Sequence, residues 1–226
     1  MILPSPSPGV GPAAPTSAMV VVDPISTGIV LCYQAVHQRG LAVIAVWSDV
    51  MPDELKGFVD PRYGIEFAAK ITHRTGGLAD TVAAVRAVDL EIVECVVGCE
   101  TGVLLNDELA EALGARGNGT NKSSLRRNKF LQTEAVRNAG LNACGQMLAD
   151  THDDLEKFLR EKPKAATFKA VVKPVEGAGS DGVFICDSPD EVRNAYASLE
   201  GTKNVLGLTN YSVLLQVTAL TGHAAT

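Results

Sequence analysis

The chain has 226 residues, 46% of them hydrophobic, enough for a core in one large domain or two small ones. A net charge of −6 with mixed signs gives no basic field for a nucleic-acid backbone, and an aromatic share of 5% gives few stacking platforms, which argues against nucleic acid as a partner. The longest apolar runs, such as MVVVD and AVIAVW, are strand length against the roughly 18 residues that a membrane span needs, which argues against a membrane-embedded protein.

Residues 1–18 are rich in Pro, Ser and Gly and carry no charge. They lack the basic start of a secretory signal and the arginines of a transit peptide, and read as a disordered tail. Residues 19–22 form an apolar strand, DPISTG a turn, 29–38 a helix stopped by Gly40, and 41–47 a second strand: a βαβ unit. A short strand at 63–67, a helix at 77–88, a strand at 95–97 and a helix at 102–113 follow. This alternation predicts a parallel sheet covered on both faces, an α/β domain over 19–115. The DPISTG turn has one glycine where a dinucleotide fingerprint needs three. Ser26 and Thr27 are instead expected to cap the helix, with contact to a substrate as the alternative.

From NGT at 118–120 a second unit begins. An amphipathic helix at 123–138 closes at Ala139 and Gly140; a strand at 146–148 and a helix at 153–160 come next. A strand at 170–173, its antiparallel partner at 182–186, a helix at 189–199 and a strand at 212–216 complete a small α+β layer over 119–216. The five cysteines, Cys32, Cys95, Cys99, Cys144 and Cys186, are odd in number and mostly far apart, as in a reducing compartment, and point to a cytoplasmic protein. Cys95 and Cys99 have C-x3-C spacing, but no second Cys or His pair completes a zinc site, so they read as structural thiols.

The stretch VVKPVEGAGSDGV, 171–183, places a lysine at the end of an apolar strand with a glycine-rich loop directly after it. Lys173 brings a cation, Pro174 ends the ladder, and Gly177, Gly179 and Gly182 allow backbone N–H groups close to an anion, read as a nucleoside triphosphate. Lys129, within SLRRNKFLQTEAVRNAG, is expected to reach the same phosphates from the other side. The plainer readings are a solvated helix lysine at 129, a snorkelling strand-end cation at 173 and a tight hairpin made by the glycines.

The run GCETGVLLNDELAEALGARGNGTNKSSLRRNKFLQTEAVRNAGL, then VVKPVEGAGSDGVFICDS, then VLLQ, resembles the ATP-grasp carboxylate–amine ligases, in particular the branch that forms dipeptides. The resemblance implies a parallel-sheet pre-ATP-grasp domain followed by a small α+β ATP-grasp subdomain. It matches Lys129 and Lys173 to the family's two phosphate-binding lysines, the second also approaching the adenine. It matches the loop of Glu176, Gly177, Ala178, Gly179, Ser180 and Gly182 to the flap over the β- and γ-phosphates. Glu100 falls where related ligases carry an acidic residue near a substrate amine; the alternative is a charge favoured at a helix N-terminus.

The implied chemistry is phosphorylation of an amino-acid or other carboxylate by ATP, attack of an amine on the acyl phosphate, and release of ADP and phosphate. Mg²⁺ is expected for the family, on acidic residues of a second subdomain. Here VLLQ runs into VTALTGHAAT, with Val217 in the place of the family's glutamate, so the metal ligands and second subdomain are expected to be absent. Gln followed by Val can be encoded by CAG then GT, as read-through of an exon end would give. The expectation is a truncated product, inactive alone, with the strand edge at 213–215 uncovered. The other reading is a non-catalytic nucleotide-binding or protein-interaction module.

Overall fold

Two runs rich in Val, Ile and Ala lie side by side as the parallel strands β1 (Ser17–Val22) and β2 (Ala42–Trp47), with Val20 opposite Ile44. The computed structural model describes residues 14–56, 61–161 and 168–217. β3 (Ala69–Thr72) pairs with β2, and β4 (Glu91–Val97) with the other side of β1, giving a parallel sheet in the order β3-β2-β1-β4.

Side chains on successive strand residues point to opposite faces. Val20, Val22 and Ile44 therefore pack on α2 (Leu78–Arg86) and α3 (Val103–Leu113), through Val85, Leu105 and Leu109. Met19, Val21 and Val43 pack on Ile29, Cys32 and Ala35 of α1 (Thr27–Arg39). Burial on both faces is why these strands read as unbroken apolar runs.

Several expectations are corrected. β1 begins at Ser17, inside the segment read as a tail; residues 1–13 lie outside the described residues. Residues 63–67 are not a strand, since Gly64 takes φ +57° and the strand falls at Ala69–Thr72. Tyr63, Ile65 and Phe67 instead cover the α1 side of the core, so their apolar character serves packing without a ladder. Ser26 does not cap α1. Its backbone sits at φ 52°, away from the extended conformation that aims a cap side chain, and no side-chain cap bond forms.

The second sheet is antiparallel, in the order β5-β8-β6-β7: β5 (Gln146–Ala149), β6 (Ala170–Pro174), β7 (Phe184–Cys186) and β8 (Val213–Val217). α6 (His152–Glu161) and α7 (Pro189–Leu199) cover one face, where Leu155, Phe158, Val192 and Tyr196 meet Val172 and Leu215. α7 starts on Ser188, whose Oγ accepts from the Glu191 N–H at 3.2 Å, with Pro189 in the first turn. β8 is not an uncovered edge: β5 and β6 flank it, and Leu214 and Leu215 are fully buried. Among the described residues no helix is long and apolar enough to cross a membrane.

The single helix expected at 123–138 is two. Asn128 is extended (φ −89°, ψ 110°), which ends α4 (Ser123–Arg127). Its side chain accepts from the Leu131 N–H at 3.0 Å, which starts α5 (Lys129–Asn138). An asparagine is well suited to that duty and poorly suited to a helix interior.

Candidate functional site

β6 alternates: Val172 faces the α6–α7 core, so its neighbour Lys173 faces the other way, opposite Leu214 of β8. Pro174 closes the strand and the glycine-rich segment follows. The break at Asn128 makes Lys129 the first residue of α5 and turns it to the root of that segment. Its N–H donates to Val175 O at 3.1 Å and its Nζ to Gly177 O at 3.1 Å.

Lys129, Lys173, Gly177, Ala178, Gly179 and Ser180 line one pocket of about 210 Å³. Pro174, Asp181 and Val183 line it too. The two ammonium groups thus share a cleft. Among the described residues no carboxylate forms an ion pair with either of them. Burial holds the Lys129 ammonium below its usual pKa; the neighbouring Arg127 and Lys173 act the same way, while Glu100 and Glu176 act against it. Lys173 is also lowered by burial, against a smaller opposite effect of Cys144. Two half-buried cations without carboxylate partners make a place where a multiply charged anion relieves an existing cost.

The remaining candidates lie elsewhere. Glu176 does not line this pocket. Its carboxylate accepts from Arg127 Nη2 at 3.4 Å and its carbonyl from Asn204 Nδ2 at 2.8 Å, and it borders a separate cleft of about 370 Å³ beside Asn128 and Ser212. Gly182 is also outside. At φ +65° a Cβ there would meet Leu199 Cδ2 at 2.8 Å and Pro174 Cγ at 3.1 Å, so this glycine lets the segment leave along α7. Glu100 sits in the 3₁₀ turn Glu100–Gly102 ahead of α3, and its Oε1 accepts from Arg127 Nη1 at 2.6 Å. Sequence reasoning gave Arg127 no role, although it stands in the RRNK run on which the resemblance rests.

No protein-family model matches the chain. It is 27% identical over 201 residues to dapdiamide A synthase of Enterobacter agglomerans, covering 88% of this chain and 45% of that one. The L-amino acid ligase of Bacillus licheniformis superposes with a TM-score of 0.56 at 18% identity, covering 89% of this chain and 46% of its own. The chain is thus similar in sequence to part of dapdiamide A synthase and in fold to part of the L-amino acid ligase. A third similar structure, the ADP complex of N5-carboxyaminoimidazole synthetase from Staphylococcus aureus, has a TM-score of 0.55 at 10% identity, with 91% and 48% covered. The chain therefore spans about half the length of each of these relatives. The residues present suit phosphate groups. Among the described residues no group of three or more His, Cys, Asp or Glu side chains stands where a metal could be held.

Proposed function

We propose that the chain is the phosphate-holding part of an ATP-dependent, ADP-forming carboxylate–amine ligase that makes an amide or dipeptide bond. Residues 19–115 form the leading α/β domain and 119–216 the first part of the ATP-grasp domain. Lys129 and Lys173 hold the triphosphate, with backbone N–H groups of Gly177, Ala178, Gly179 and Ser180 around it. Within a ligase, ATP supplies the phosphoryl group that activates a carboxylate for attack by an amine. The chain's own part is to orient the phosphates and to neutralise their charge. Five cysteines with no disulfide among the described residues fit a place in the cytoplasm.

One observation carries the reading: two half-buried lysines from separate elements face a single pocket. Its volume of about 210 Å³ is below the roughly 300–1,000 Å³ of sites that enclose a whole small molecule, so it is sized for the phosphates rather than the entire nucleotide. Calorimetric titration with ATP, with and without magnesium, is expected to give affinity weaker than low micromolar and no ADP release in the presence of amino acids. Binding should vanish in the Lys129→Met/Lys173→Met double variant. Low-micromolar affinity that survives in that variant contradicts the proposal.

A further inference from the structure

Arg127 is 4% exposed, and its two terminal nitrogens go to two carboxylates from different parts of the chain: Nη1 to Glu100, in the 3₁₀ turn that follows β4, and Nη2 to Glu176, at the root of the glycine-rich segment. We infer that Arg127 is a positioning residue which ties that root to the parallel-sheet half and so sets the lysine pocket in place before any nucleotide arrives. The inference rests on the reading of the pocket as a phosphate site.

The hydrogen bonds support it. The root is held at its backbone by Lys129 N–H on Val175 O, Asn204 Nδ2 on Glu176 O and Lys129 Nζ on Gly177 O. Beyond the root the segment makes its own turns, with Asp181 N–H to Ala178 O at 3.2 Å and Val183 N–H to Ser180 O at 3.3 Å, and one outside tie, Asp181 Oδ2 accepting from Val205 N–H at 2.8 Å. Among the described residues Arg127–Glu176 is the ion pair that reaches the segment, and through Glu100 it continues into the parallel-sheet half. A guanidinium can serve two carboxylates at once because its donors form a rigid fork; an ammonium is a single point of charge. Because Lys129 lies two residues after Arg127 and bonds Gly177, a shift of Arg127 moves both sides of the pocket mouth.

Amide hydrogen exchange on the 226-residue chain without nucleotide tests this in Glu176→Gln, whose side chain is 39% exposed and tolerates neutralisation, and in Arg127→Lys. Exchange over 176–183 is expected to quicken at least about fivefold in both, while β6 and β8 keep their protection. ATP affinity is expected to fall about three- to tenfold in each, with less than additive loss in the double variant. Glu176→Asp, which keeps the carboxylate, should restore most of both. Segment exchange within about twofold of the parent in both single variants overturns the inference, as does unchanged ATP affinity in them when the parent binds. If the parent itself binds no ATP, the phosphate reading falls and the exchange result alone decides the role of Arg127.

Discussion

The two sheets end in polar crevices of opposite character. At the carboxyl end of the parallel sheet, Asp23 is completely buried and accepts from Ser48 N–H, Ser48 Oγ and Thr101 Oγ at 2.6–2.7 Å. The backbone beside it is so tightly packed that a Cβ on Gly98 would lie 2.5 Å from Asp23 O. At the mouth of the antiparallel sheet, Lys129 and Lys173 share a pocket with no carboxylate bound to either among the described residues. The first crevice has spent its hydrogen bonds on itself and contributes stability. The second keeps two cations at a cost to the fold, which makes sense if an anion is to be held there.

The sharpest way to break this comparison is on the closed side. Gly98→Ala forces backbone apart, because the new Cβ meets main-chain atoms that cannot swing away, and should cost at least about 3 kcal/mol in urea unfolding. Any folded fraction should bind ATP as the parent does; equal loss of both properties would mean that the two crevices are not separable.

On the open side the sign reverses. Lys173→Met should weaken ATP binding about tenfold or more by calorimetry, while leaving unfolding by urea unchanged or slightly harder, since a desolvated charge has been removed. The pH dependence follows from the same burial. Both ammonium groups are held below the ordinary lysine value of 10.5, so between their folded pKa values and 10.5 the unfolded chain binds more protons than the folded one. Stability should therefore rise with pH through that alkaline window. Lys129→Met and Lys173→Met should each flatten the rise, as seen in urea midpoints across the window.

The smallest effect lies away from both crevices. Ser188→Ala removes the cap of α7 and should cost about 1 kcal/mol, with ATP binding unchanged. A change in binding there would show that α7, which packs behind β6, controls the pocket after all.

Much of the site was legible because its signals are local. A lysine closing an apolar strand, a proline ending the ladder and glycines after it occupy consecutive positions, and the structure keeps them adjacent in the pocket. Glu176 and Gly182 belong to the same run of letters yet have other duties. One pairs with Arg127 from α4 and the other packs on Leu199 from α7, and neither partner is near in sequence. Arg127 looked like one more basic residue on a helix. Nothing in its neighbours in the chain says that it is buried between two acids.

Residue order was sufficient for the α/β alternation of the first half and the hairpin of the second, because periods of two and 3.6 and turn chemistry act over a few residues. The splitting of 123–138 at Asn128, the interior place of β8, and the meeting of Lys129 with Lys173 in one cleft were settled only when distant segments packed together. Pairing partners, burial and electrostatic cost are properties of neighbours in space, and those neighbours exist only after the chain has folded.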